Sequence, residues 1–540
     1  MKANKQLTVR SILIGMAGSA VITASSMYVA LRMGALPWPT IFVAVLSMAL
    51  LKLLGKTSLN EINVTHTAMS AGSMVAGGMA FTLPAAWILD RNADIGLGET
   101  MMIAMAGTLL GLVFSALYRN YFIEVQPQPY PIGSAAAQTV IAGDEGGAKA
   151  RSLFAAMGLS VVFTFLRDWT FAGGKTLINA FWMSKKLLTS GFQFGFWFSP
   201  MAVAIGYIIG PLYMGVWFLG AILGYWILMP AGIRTGLFAD AAAADVFRQS
   251  LGMGLMIGTG FGILIKGILP RMKQIYSSIL LISTESADNK NRKRMISAIP
   301  IVFTAIAALI AIFTRISPLA SILLIPGVWI TASMAAQTTG QTGINPMEVF
   351  GVILLLLIKL ILPTGQVEAI LIAAVVAIAC GLTGDIMNDF KAGHILGTKP
   401  KNQFISETAG GIVGAVVASV ALFAMLKAYG EFGGDALPAP QARLVAQMAG
   451  GIGNVTAFVI GIVAGTLFYV IKIPAATLGI GVYLPVIIST TAFLGALIAL
   501  GVKKFLPKRT EQGTVIASGV FGGEGITGVA IALIRMFTGG

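Results

Sequence analysis

The sequence predicts an all-α integral membrane protein of about 14–16 transmembrane helices, some re-entrant or broken, arranged as two pseudo-repeated halves. Three observations predict it. The first is composition: of 540 residues, 56% are hydrophobic and only 11% charged, with a mean hydropathy of +0.86. A soluble domain carries roughly 25% charged residues, so lipid must be much of this chain's solvent. The second is a series of charge-free runs, among them 11–31, 62–89, 100–118, 187–233, 316–347, 408–426 and 473–502. Several are long enough for one crossing, and some for more than one. The third is the clustering of glycine and proline beside polar groups inside apolar sequence, as in Gly340-Gln-Thr-Gly343, Gly381-Leu-Thr-Gly-Asp385 and Gly522-Gly-Glu-Gly525. Close helix packing explains most of the 65 glycines. These clusters instead suggest helices that break at membrane depth, which is tolerated only where the backbone is buried or lines a wet cavity.

The first run follows a short polar start and lacks a small-residue cleavage pattern, so it reads as a retained helix. The net charge of +15 is scattered among apolar spans, which fits the positive-inside rule and argues against nucleic-acid binding. Lys266, Arg271, Lys273, Lys290, Arg292, Lys293 and Arg294 flank the largest hydrophilic loop and place it in the cytoplasm. Lys2, Lys5 and Arg10 place the N-terminus there too. An even number of crossings must separate the two sites, yet the apolar segments between them are odd in number. The short, small-residue segment 131–143 is therefore expected to be re-entrant or half-helical.

Internal echoes support duplication. Residues 28–39 and 335–346 both end in a proline, and each leads through an apolar run to a lysine at the same spacing, Lys52 and Lys359. Weaker echoes pair Pro131-Ile-Gly-Ser with Pro474-Ala-Ala-Thr, and Asn60-Glu61 with Asn402-Gln403. The expected organisation is an N-terminal repeat half at 1–275, a basic cytoplasmic linker at 276–295 and a C-terminal repeat half at 296–540. Parallel and inverted duplications both fit these echoes, and duplicated halves around a central site are a recurrent plan of membrane transporters.

Acids inside apolar sequence carry the functional signal, because a charge at the bilayer centre costs roughly 2.5–3.5 kcal/mol. Glu348 opens a long apolar helix just after Asn345-Pro346, and Glu524 sits between glycines; both read as cavity-facing. Asp385 and Asp389 are four apart and share a face if helical. Asp168 beside Arg167 reads as a salt-bridged structural acid, while Asp240 and Asp245 lie on an alanine-rich segment. His66 and His394 are the two histidines and are able to titrate near neutrality. One cysteine, Cys380, excludes an internal disulfide. Spaced His/Cys ligand sets are absent, so no resident metal or other cofactor is expected. No His-Glu-x-x-His, P-loop or potassium-filter motif occurs. An enzyme is therefore disfavoured; a channel-like or facilitative pore is the alternative, with an intramembrane enzyme third.

Several segments together resemble the oligopeptide transporter family, including its yellow stripe-like branch of metal-chelate transporters. Gly384-Asp-Ile-Met-Asn-Asp-Phe-Lys-Ala-Gly-His394 is similar to that branch's Asp-Phe-Lys-Thr-Gly-aromatic segment. Tyr130-Pro-Ile-Gly-Ser-Ala-Ala-Ala137 and Ala517-Ser-Gly-Val-Phe-Gly-Gly-Glu-Gly525 resemble two further family segments, in order along the chain. Two departures stand out. Asn345-Pro346 continues with Met347 where the eukaryotic peptide branch has glycine, and Lys472-Ile473-Pro474 continues with Ala475-Ala476 where that branch has Pro-Arg. Short loops and a compact N-terminus look like a prokaryotic member, in the plasma (inner) membrane of a bacterium or archaeon.

The resemblance implies secondary active transport, proton-coupled symport of oligopeptides or metal-chelate complexes, with the proton gradient as energy source. By position it implies Gln138, Gln341, Asn345, Asp385, His394 and Tyr483 as substrate contacts, and Glu348, Asp389 and Glu524 as proton-coupling groups. The expected partners are the lipid bilayer, the peptide or chelate substrate, protons and a second copy in a homodimer.

Overall fold

The computed structural model describes residues 6–34, 40–144, 148–169, 181–182, 192–271, 289–343, 345–434, 436–450 and 453–538. Most of the expected linker, the 35–39 end of the first echo and Ile344 lie outside the described residues. Among the described residues, eight helices are long and apolar enough to cross a bilayer. Three shorter apolar helices, Val43–Leu53, Pro200–Ile209 and Ile299–Phe313, accompany them. The protein is an all-α multi-pass membrane protein, and the count of about 14–16 read from hydropathy includes such short and broken pieces.

The chain forms two compact units, and each draws on both halves of the sequence. One comprises Met1–Arg32, Trp38–Gly147 and Leu264–Gly450; the other comprises Met33–Pro37, Ala148–Ile263 and Gly451–Gly540. Sequence order and compactness therefore divide the chain differently.

The first unit is built around the Gln366–Leu396 helix, whose most apolar window is wholly buried by protein. The helices packed most extensively against it are Leu59–Ala80, Leu97–Arg119, Pro131–Asp144, Pro318–Thr342 and Met347–Ile361. The Leu59–Ala80 helix also crosses Pro400–Tyr429. A side chain on Gly410 would collide with the carbonyl oxygen of Ala68 at that crossing. Small residues are what let helices approach when lipid supplies no hydrophobic drive between them.

The segment expected to be re-entrant forms the Pro131–Asp144 helix, at about 21 Å too short to span a bilayer core. Its entry is unusual. Tyr130 has φ 41 and donates its backbone N–H to the Gly340 carbonyl at 2.9 Å. Ala439, which precedes Pro440 and the Pro440–Gly450 helix, also has φ 41 and donates its N–H to the Leu31 carbonyl at 2.8 Å. Positive φ at a non-glycine residue is uncommon and strained. Each of these two junctions is thus pinned by its backbone to a long helix distant in the chain.

In the second unit, Ala241–Gly262 packs on Val455–Val470, Ala148–Asp168 on Thr510–Thr538, and Pro200–Ile209 on Val486–Phe505. A two-residue antiparallel pair sets Phe181 opposite Phe196 and Trp182 opposite Gly195. Gly206 sits against the Ala492 carbonyl with no room for even a methyl group. Gly206→Ala is expected to force these helices apart and destabilise the protein by about 2–3 kcal/mol. Thermal unfolding in detergent reads this directly; an unchanged midpoint would show that the contact is not tight.

Candidate functional site

Three helices of the first unit each contribute a pair of residues four apart to one buried polar cluster. His66 and Ser70 come from Leu59–Ala80, Asp385 and Asp389 from Gln366–Leu396, and Gln403 and Glu407 from Pro400–Tyr429. The spacing puts each pair on a single helix face. All six residues are buried.

Asp389 is the hub. Its Oδ2 accepts a hydrogen bond from Ser70 Oγ at 2.6 Å, and its Oδ1 lies 3.8 Å from His66 Nε2. Gln403 Nε2 donates to the Asp389 backbone carbonyl at 2.7 Å. Asp385 lies beside Ser70 and Asp389, and Glu407 faces both aspartates. Both oxygens of Asp385 and both of Glu407 are buried, with Ser70 beside Asp385 and the Asp389 carboxyl beside Glu407 as their polar neighbours. Burying a carboxyl is costly, and natural proteins retain such groups chiefly where function requires them.

The surrounding bonds hold the three helices in register. Ser406 Oγ donates to the Val64 carbonyl at 2.7 Å, and Thr398 Oγ1 donates to Asn60 Oδ1 at 2.6 Å. Near the helix start, Glu61 is gripped by Arg10 through two bonds of 2.7 Å and by Thr8 and Thr57.

On another side of the central helix the chain breaks. The Pro318–Thr342 helix ends at Gly343 with φ 75, and the next helix begins after Pro346. Asn345 Nδ2 bridges to the Cys380 carbonyl at 2.8 Å. Glu348 is buried in the first turn of Met347–Ile361.

The remaining residues named from sequence are dispersed. Gln138 is exposed on the short helix, and His394 is exposed in the last turn of the central helix. The side chain of Gln341 lies outside the described residues. Tyr483 and Glu524 belong to the second unit. Tyr483 is buried, and its carbonyl accepts from Arg248 Nη1 at 2.8 Å; Arg248 also pairs with Asp245 and stacks 4.1 Å from the Tyr225 ring centroid. Asp240 caps a helix by accepting from Ala243 N at 2.8 Å.

Glu524 is saturated. Its Oε1 accepts from Ser199 Oγ at 2.9 Å and meets Arg167 Nη2 at 2.8 Å, while its Oε2 accepts from Met201 N at 2.8 Å. Arg167 in turn grips Asp168 through two bonds of 2.8 and 2.7 Å. This network closes the N-terminus of Pro200–Ile209, where a carboxylate is favoured by the helix dipole.

The family model described as OPT oligopeptide transporter protein matches residues 6–535. The chain belongs to that family. A protein of Haemophilus influenzae, provisionally named an oligopeptide transporter, is 26% identical over an alignment 589 positions long, gaps included, covering 94% of this chain and 92% of that protein. The metal-nicotianamine transporter YSL2 of Arabidopsis thaliana is 25% identical over 404 residues, covering 66% of this chain and 60% of that one. These relatives in the OPT family are transporters and not enzymes, in keeping with the missing enzyme motifs. For this OPT protein, then, sequence patterning singles out His66, Asp385 and Asp389, which the fold brings together. It misses Ser70, Gln403 and Glu407. The available signal for Glu407 was its four-residue spacing from Gln403 at the mouth of an apolar run.

Proposed function

We propose that this OPT family member is a proton-coupled symporter of short peptides or metal-chelate complexes. The buried Asp385–Asp389–Glu407 cluster beside His66 and Ser70 is the observation that carries the reading. Three carboxyls and an imidazole buried among packed helices are sensitive to the gain or loss of one proton, because each uncompensated charge there is expensive. The three helices that supply them are also the ones whose packing a proton would alter. A local charge change that biases a packed element is the general form of such a switch. Substrate class follows the relatives, whose names refer to oligopeptides and to metal-nicotianamine.

The test is uptake by proteoliposomes under an imposed pH gradient, inside alkaline, with labelled dipeptides to tetrapeptides and an iron-nicotianamine complex as probes. Substrate-dependent acidification of the lumen is expected with one of these classes. Uptake that is unaffected by a protonophore would sink the coupling. Open-pore conductance without saturation would instead favour the channel reading.

A further inference from the structure

We propose that the buried carboxyl cluster exchanges its proton with the face of the protein that carries the N-terminal segment, through a polar neck made by Asn63, Thr398 and Gln403 and closed by residues 6–10. This route rests on the coupling role of the cluster and adds to it a side and a path.

The cluster lies close to one end of its helices. His66, Asp389 and Glu407 are each seven residues from a helix end, at Leu59, Leu396 and Pro400. At 1.5 Å per residue that is about 10 Å. The three ends share one side, because Thr398 lies in the turn between Leu396 and Pro400 and bonds to Asn60 and Asn63. In the other direction Asp385 is nineteen residues from Gln366, or about 28 Å.

The short way out is polar. Asn63 lies one turn from His66 on the same helix face. Its Nδ2 donates to Thr398 Oγ1 at 3.2 Å, and that hydroxyl donates onward to Asn60 Oδ1 at 2.6 Å. Gln403 Nε2 reaches back to the Asp389 carbonyl at 2.7 Å. Asn63, Thr398 and Gln403 are all buried, and Asn63 Oδ1 has no hydrogen-bond partner. A hydroxyl that accepts on one side and donates on the other can pass a proton on. Among the described residues, Glu61 pairs with Arg10 and Arg119 with Glu124, while Lys391, His394, Lys399 and Lys401 are half-buried or exposed. The buried acids and histidine at this depth are therefore those of the cluster.

The long way out is apolar and tightly packed. Residues 74–80, 370–379 and 410–418 carry no polar side chain. The hydroxyls nearest the cluster on that side, Ser73 and Thr383, donate to carbonyls of their own helices, at Ser70 and Ala379. Helices there meet backbone to backbone. A Cβ on Gly78 would lie 2.6 Å from the Ile378 Cα, and one on Gly414 would lie 2.4 Å from the Gly72 Cα. Such crossings leave no room for water between the helices.

Residues 6–10 fasten the polar end. Gln6 Nε2 donates to the Gly397 carbonyl at 3.3 Å, and its Oε1 accepts from Lys399 N at 2.9 Å and Asn402 Nδ2 at 3.1 Å. Thr8 and Arg10 hold Glu61 at the start of the Leu59–Ala80 helix. One short segment thus ties together the ends of all three helices that supply the cluster.

The experiment uses the full chain with Cys380→Ala in sealed vesicles of known orientation and a membrane-impermeant sulfonated thiol reagent. Asn63→Cys is expected to react only from the face that carries the N-terminus, and at least about tenfold faster when Gln6→Ala and Thr8→Ala release the segment. Ser73→Cys, on the far side of the cluster, should stay unreactive from that face. Reaction of Asn63→Cys from the opposite face, no reaction from either, or equal rates at both cysteines would overturn the proposal. In proteoliposomes, Thr398→Val should lower the ratio of gradient-driven uptake to exchange at zero gradient by at least about tenfold. Thr398→Ser should restore it, and Ser73→Ala should leave it unchanged. A Thr398→Val protein with the parent's ratio would also overturn the route. If uptake by the parent ignores a protonophore, the coupling role fails, while the labelling still decides which face the neck opens to.

Discussion

Asp389→Asn is expected to cut gradient-driven uptake by on the order of 100-fold, the usual scale for losing a positioned proton-transfer group, while leaving substrate exchange at zero gradient in place. The substitution is close to isosteric. An asparagine oxygen can still accept the Ser70 hydroxyl that Asp389 Oδ2 accepts at 2.6 Å, so the local packing should survive. What it cannot do is take up and release a proton between His66, Asp385 and Glu407. Glu407→Gln should give the same separation of exchange from coupling, since the Glu407 carboxyl is buried and faces the two aspartates. Uptake and exchange measured in the same proteoliposomes make the comparison internal. If Asp389→Asn retains a full response to the pH gradient, the cluster is structural and the coupling lies elsewhere. If both assays fail together and the protein still unfolds at its normal temperature, Asp389 is needed for substrate passage itself.

How far such a site could be read in advance depends on what each residue's neighbours are in sequence. Membrane embedding follows from hydropathy alone, because lipid contact imposes a composition. The shared face of Asp385 and Asp389 follows from helical periodicity. Glu407 escapes notice because it stands one residue before a charge-free run and so looks like an acid at the membrane surface. Its burial comes from the close crossing of Pro400–Tyr429 and Leu59–Ala80, where Gly410 and Gly414 meet Ala68 and Gly72; no local pattern announces that contact. The entries to the Pro131–Asp144 and Pro440–Gly450 helices show a similar limit, since they rest on two backbone hydrogen bonds, to Gly340 and Leu31, which carry no sequence signature.

Glu524 marks the opposite case, an acid whose sequence context suggests a cavity and whose partners are all distant in the chain. Its three contacts, with Ser199, Met201 and Arg167, the last of which also holds Asp168, make it the anchor of a helix end in the second unit. Arg167→Met is accordingly expected to destabilise the protein by about 3–5 kcal/mol, because it leaves carboxylates buried without their counter-charge. Arg167 also donates to the Phe198 carbonyl at 2.9 Å and lies 5.4 Å from the Trp197 ring centroid, so its loss loosens the entry to the Pro200–Ile209 helix as well. Adding Glu524→Gln to Arg167→Met should recover a large part of the loss. The glutamine oxygen can still accept one of the two donors, and the stranded charge is gone. Glu524→Gln alone should cost less than Arg167→Met, since Arg167 keeps Asp168, and it should leave the response to a proton gradient intact. Unfolding of the three variants and of the parent in one detergent measures the coupling between the two positions. Additive losses, with no recovery in the double variant, would show that the ion pair is not what holds this helix end. A lost gradient response in a normally stable Glu524→Gln protein would show that Glu524 takes part in the coupling.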